Sequence, residues 1–73
     1  MEKLMEVLKN VNDTVDYENE SDLVASGIFT SFEIFQCIMD IEEAYDISIP
    51  PQEIMPENFK SIDTIMAMIK RCL

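Results

Sequence analysis

The chain predicts an all-α fold, a four-helix bundle of three longer helices and one short third helix. Three observations lead there. Apolar residues recur at helical spacing in three separate segments, strand-like alternation persists nowhere, and the pair Pro50-Pro51 interrupts the chain before the last segment. At 73 residues the chain makes one domain, 1–73. A domain this short buries only about 60% of the surface its unfolded form exposes, so its core must be used efficiently. With one glycine, three prolines and 48% apolar residues, long disordered stretches are not expected.

The first helix is predicted from Glu2 to about Val11. Leu4, Leu8 and Val11 form one stripe with Met1 and Met5 beside it, while Lys3 and Glu6 face solvent. A loop follows from Asn12 to Thr30, acidic and anchored by Val15, Tyr17, Leu23, Val24, Ile28 and Phe29. Loops of this length are uncommon in small domains and are usually functional. Gly27, the only glycine, marks a sharp turn near its end. The second helix runs from Ser31 to about Tyr45. Ile47 to Met55 is a crossover in which Pro51 suits the first turn of the short third helix, and Pro56 to Lys60 turns again. Ser61 caps the last helix, which reaches Cys72 with Ile62, Ile65, Met66 and Ile69 at core spacing.

Charge narrows the function. The net charge is −10, and the five basic residues, Lys3, Lys9, Lys60, Lys70 and Arg71, sit at the two ends. Between Asn10 and Phe59 there are twelve carboxylates and no cation. Such a chain does not bind nucleic acid, which needs lysines and arginines against phosphates. Its field steers basic partners toward the middle of the chain, although solubility alone would also explain it. No apolar run approaches the roughly 18 residues of a membrane span, and Met1-Glu2-Lys3-Leu4 lacks the layout of a signal peptide. The expectation is a complete cytoplasmic protein without membrane insertion.

Catalysis of its own is not expected. There is no histidine to act as a base near neutral pH or to activate a serine. Zinc fails for want of histidine and clustered cysteine; Cys37 and Cys72 each fall within a helical pattern, where a free cysteine behaves as a small apolar residue. The acidic run Asp16, Glu18, Glu20, Asp22 resembles the start of a calcium loop. A loop begun at Asp16, however, puts Ser21 and Gly27 where glycine and glutamate are required. Begun at Asp22, it puts Val24 and Ser26 at ligand positions. No metal site is predicted.

The junction Gly27-Ile28-Phe29-Thr30-Ser31-Phe32 remains. Ser31 stands where the loop enters a helix, whose start offers unpaired N–H groups and partial positive charge. A serine there either caps the helix or displays a hydroxyl at which an attached phosphodiester is favoured. In the helix that follows, Ile34, Ile38, Ile41 and Tyr45 form the core stripe. Phe32, Phe35 and Met39 form a second stripe roughly 120° away, bordered by Gln36, Glu42 and Glu43, with Glu33 and Asp40 on the outer side. The second stripe either packs on the crossover and last helix or stays exposed as an acid-rimmed docking surface.

Asp22-Leu23, Gly27, Ser31-Phe32 at a helix start, and the run Ile41-Glu42-Glu43-Ala44-Tyr45-Asp46-Ile47-Ser48-Ile49-Pro50 resemble the acyl carrier protein family. The short chain and the Gly-x-x-x-Ser spacing are especially similar to its D-alanyl carrier and stand-alone peptidyl carrier branches. The resemblance implies a four-helix bundle of acyl-carrier type, acting as a monomer. It implies that a phosphopantetheinyl transferase attaches 4′-phosphopantetheine from coenzyme A to Ser31, and that the arm's thiol carries an acyl or aminoacyl group as a thioester. The partners it implies are an adenylating ligase and an acyltransferase or synthase with basic patches, meeting Phe32, Phe35, Gln36, Met39, Glu42 and Glu43. Members usually carry aspartate before the serine, where it helps the transferase and its magnesium; this chain has Thr30. An unmodified acidic helical binding module that regulates a basic protein partner is the competing reading.

Overall fold

The computed structural model describes residues 2–73, and Met1, set beside the first stripe above, lies outside them. Three α-helices form where the periodicity places them: α1 Glu2–Val11, α2 Ser31–Tyr45 and α3 Ile62–Cys72. No strand occurs among the described residues. The radius of gyration, 10.9 Å, is close to the about 11 Å of a fully compact chain of this length, so the long loop lies against the helices.

The core sits between these helices. From α1 come Leu4, Val7 and Leu8, from α2 Cys37, Ile38 and Ile41, and from α3 Ile62, Ile65, Met68 and Ile69. Two details differ from the periodic reading. Val7 joins the first stripe, while Val11 stays half-buried. On α3, Met68 is buried and Met66 only partly so. The buried face centres on Ile65; at 100° per residue Met68 lies about 60° from it and Met66 about 100°.

The expected short third helix is the larger difference. In its place are two single 3₁₀ turns, Pro51–Glu53 and Pro56–Phe59, each with proline at its start. Pro56 explains the break, because its ring pushes the preceding residue out of helical conformation, and Met55 is extended at φ −132° and ψ 147°. Only a few residues are left between the prolines, too few for an α-helix.

The long loop is tied down by its anchors. Tyr17, Leu23 and Phe29 are buried, while Val15, Val24 and Ile28 pack partly against the core. The Tyr17 and Phe29 rings meet edge to face, centroids 6.2 Å apart. The Tyr17 hydroxyl donates toward the carbonyls of Leu8 and Asn12, at 2.8 and 2.6 Å, closing the end of α1. The N–H of Leu23 donates to the carbonyl of Lys60 at 2.6 Å, joining the loop to the approach to α3. Gly27 turns the chain at φ +81°, a conformation that side chains resist even though the space around it is open.

Candidate functional site

The start of α2 is built by Thr30. Its backbone is extended, at φ −88° and ψ −178°, and its carbonyl accepts the N–H of Ile34. Its own N–H and hydroxyl both donate to Glu33 Oε1, at 3.0 and 2.6 Å. Those bonds, the hydroxyl's first, hold the Glu33 carboxyl below its ordinary pKa. The pattern Thr30-x-x-Glu33 is a capping-box signature visible in the sequence, and the sequence reading passed over it. Capping therefore falls to Thr30 and Glu33. Ser31 becomes the first residue of the helix proper and is exposed.

Below Ser31 the two stripes of α2 separate. Ile38 and Ile41 are buried and Ile34 and Tyr45 half-buried, with Cys37 completing that face. Phe32, Phe35 and Met39 are 73%, 63% and 59% exposed. Three large apolar side chains on consecutive turns thus lie in water, and the choice between packing and exposure goes to exposure. Glu43 is also exposed. The other two predicted rim residues are half-buried and engaged. Gln36 Nε2 donates to Asp40 Oδ1 at 3.1 Å, and Glu42 Oε2 accepts the N–H of Ile49 at 2.9 Å. Glu42 thereby anchors the chain beyond α2, where Asp46 turns it at φ 53°.

A groove of about 170 Å³ opens beside Ser31. Ser31, Ile34 and Phe35 form one wall, Phe59 the floor, and Ile54, Met55 and Pro56 the far wall. The residues 54–56 were not singled out by the sequence, since nothing periodic brings them to α2. Across the molecule, Cys37 and Cys72 are free thiols, and burial pushes Cys37 up to about 12. Among the described residues no group of three or more His, Cys, Asp or Glu side chains could hold a metal ion. No helix there is long and apolar enough to cross a membrane.

These features suit a tethered phosphodiester. The exposed hydroxyl stands at a helix start, where unpaired N–H groups favour negative charge, and an apolar groove begins at its side.

No family model matches the chain, and no solved structure matches it significantly. Curated proteins do. A D-alanyl carrier protein of Lactococcus lactis subsp. lactis (strain IL1403) is 28% identical over 71 residues, covering 94% of this chain and 90% of the relative. A D-alanyl carrier protein of Lactococcus lactis subsp. cremoris (strain MG1363) is 27% identical over the same shares. Aminoacyl carrier protein 1 of Bradyrhizobium diazoefficiens is 35% identical over 54 residues, which is 74% of this chain and 59% of that protein. All three are named as carrier proteins.

Proposed function

We propose that this chain, similar over most of its length to D-alanyl carrier proteins, is itself a carrier protein that bears 4′-phosphopantetheine on Ser31 and shuttles an acyl or aminoacyl group between partner enzymes. The observation that carries this reading is the division of labour at the start of α2: Thr30 and Glu33 make the cap, and Ser31 stands exposed beside them. Residues 1–73 act as one carrier domain.

A phosphopantetheinyl transferase forms the new phosphodiester bond to Ser31 Oγ; the serine proton is lost and the adenosine bisphosphate portion of coenzyme A leaves. Once bound, the group supplies a thiol on a flexible tether, which holds the cargo as a thioester. The chain's own part is to display the attachment point and present a surface to enzymes. That surface is α2, with exposed Phe32, Phe35 and Met39 for apolar contact and exposed Glu43 for basic patches. Gln36 and Glu42 border it and hold local structure as well. An adenylating ligase would load the arm, and an acyltransferase or synthase would unload it. The relatives named for D-alanyl and aminoacyl groups favour an aminoacyl cargo. The carrier would work as a monomer in the cytoplasm.

Intact mass tests this directly. Incubation with coenzyme A, magnesium and a broad-specificity transferase should add one phosphopantetheine, and Ser31→Ala should abolish the gain. An unchanged mass with several transferases would instead favour an unmodified acidic module that regulates a basic partner through the same helix.

A further inference from the structure

Two open hollows adjoin where α1 meets the long loop and the start of α3. Glu2, Met5, Glu6 and Glu18 line one of about 350 Å³, and Met5, Glu18, Ile62 and Asp63 line the other of about 270 Å³. Half-buried Met5 and buried Ile62 form an apolar floor, and the four carboxylates stand exposed around it. No cation lines either hollow. Of the α1 lysines, Lys3 directs Nζ over the Tyr45 ring at 4.6 Å, and Lys9 borders only the neighbouring hollow toward Asp13. The ring is placed by the core: Glu6 precedes buried Val7, Glu18 follows buried Tyr17, and Asp63 follows buried Ile62.

Acid is engaged in other parts of the chain. Glu33 completes the cap of α2, Glu42 accepts the Ile49 N–H, and Glu53 Oε1 lies 2.6 Å from Arg71 Nη2. That last contact is the one ion pair among the described residues, so none reaches Glu2, Glu6, Glu18 or Asp63. Nor do these four converge on a metal, since no group of three or more acidic, cysteine or histidine side chains there could hold an ion. Like charges spread around an apolar floor match an extended cation with an apolar centre, not a point charge. A second copy of this chain and an anionic lipid surface are both repelled by its net charge of −10.

We propose that this basin is a second docking face, which takes a lysine- or arginine-rich segment of a partner protein and seats one of its large apolar side chains on Met5 and Ile62. The floor supplies apolar contact, and the acidic ring selects basic segments and rejects acidic ones. The basin's residues come from α1, the loop and α3; none belongs to α2 or lines the groove at Ser31. A partner seated here leaves the exposed stripe of α2 uncovered, so one protein can retain the carrier while α2 and Ser31 meet another. That consequence rests on Ser31 being the attachment point; the basin itself does not.

Binding is tested on the isotope-labelled, unmodified full-length protein at low salt, by following amide resonances as a lysine-rich peptide with one central leucine is added. Shifts should concentrate at Met5, Glu6, Glu18 and Asp63, and replacing the leucine by serine should weaken binding about fivefold or more. Glu18→Lys should weaken it by about three- to tenfold. Glu57→Lys, at an exposed carboxylate on the crossover, should change it by less than about twofold. No shifts, shifts centred on Phe32, Phe35 and Met39, shifts spread over every acidic stretch, or equal losses in the two variants overturn the basin. Intact mass tests the use of two faces. With the peptide at saturation, a transferase and coenzyme A should load Ser31 at an unchanged rate, and slowed loading overturns their independence. A chain that gains no mass without peptide overturns the attachment reading, while the shift map still decides the basin.

Discussion

The loop from Asn12 to Thr30 and the crossover from Pro50 to Asn58 both border Ser31, yet they are held in different ways. The loop sends Tyr17, Leu23 and Phe29 into the core and ties its backbone to α1 and to the approach to α3. Of the crossover only the flanking Ile49 and Phe59 are buried; from Pro50 to Asn58 nothing is buried, and that stretch relies on two proline-started turns and the pairing of Arg71 with Glu53. Irregular backbone is therefore no guide to rigidity. What decides is whether its side chains are buried, and here Ser31 follows the anchored stretch and faces the exposed one.

The largest effect should come from the fixed stretch. Phe29→Ala removes a buried ring two residues before Ser31 and should cost about 3–5 kcal/mol in chemical denaturation. A loss below about 1 kcal/mol would show that the loop is no better anchored than the crossover. Tyr17→Phe comes next. It keeps the ring but leaves the Asn12 carbonyl without its hydroxyl partner, and about 1–2 kcal/mol should be lost.

The same substitution has a pH signature. Burial raises the Tyr17 pKa from 10.0 to about 12, so the fold prefers the protonated hydroxyl. That contribution is fully present below pH 10 and is lost as pH rises from 10 toward 12, where the unfolded chain ionises first. The alkaline fall in melting temperature should accordingly be shallower in Tyr17→Phe; an identical profile would remove Tyr17 as its source. The smallest effect belongs to the crossover. Ile54→Ala should change stability by about 0.5 kcal/mol or less. A loss of about 2 kcal/mol would assign Ile54 to the core and erase the contrast.

The helices were legible because each carries a local record of its buried face: Leu4 and Leu8, Ile38 and Ile41, Ile65 and Ile69 all recur at helical spacing. Loop anchors were legible too, since Tyr17, Leu23 and Phe29 are large apolar residues in an acidic stretch. The second stripe of α2 could be seen, but its exposure could not, because periodicity shows that two faces exist and not which is covered. The cap was written in Thr30 and Glu33 and was missed because Ser31 drew the capping role to itself. The groove's far wall and the grip of Arg71 on Glu53 had no local signal. They join residues eighteen positions apart through the way the chain folds back, which no spacing rule reports.

The burial of Cys37 has a consequence for any cargo held as a thioester. A free thiolate on the carrier would attack that bond and strand the cargo on the wrong sulfur. Burial raises the Cys37 pKa from 9.0 to about 12 and shuts the side chain away from solvent, so it stays a protonated, inaccessible thiol near neutral pH. The side chain that fills the middle of the bundle is thus chemically silent toward the bond the protein would exist to protect.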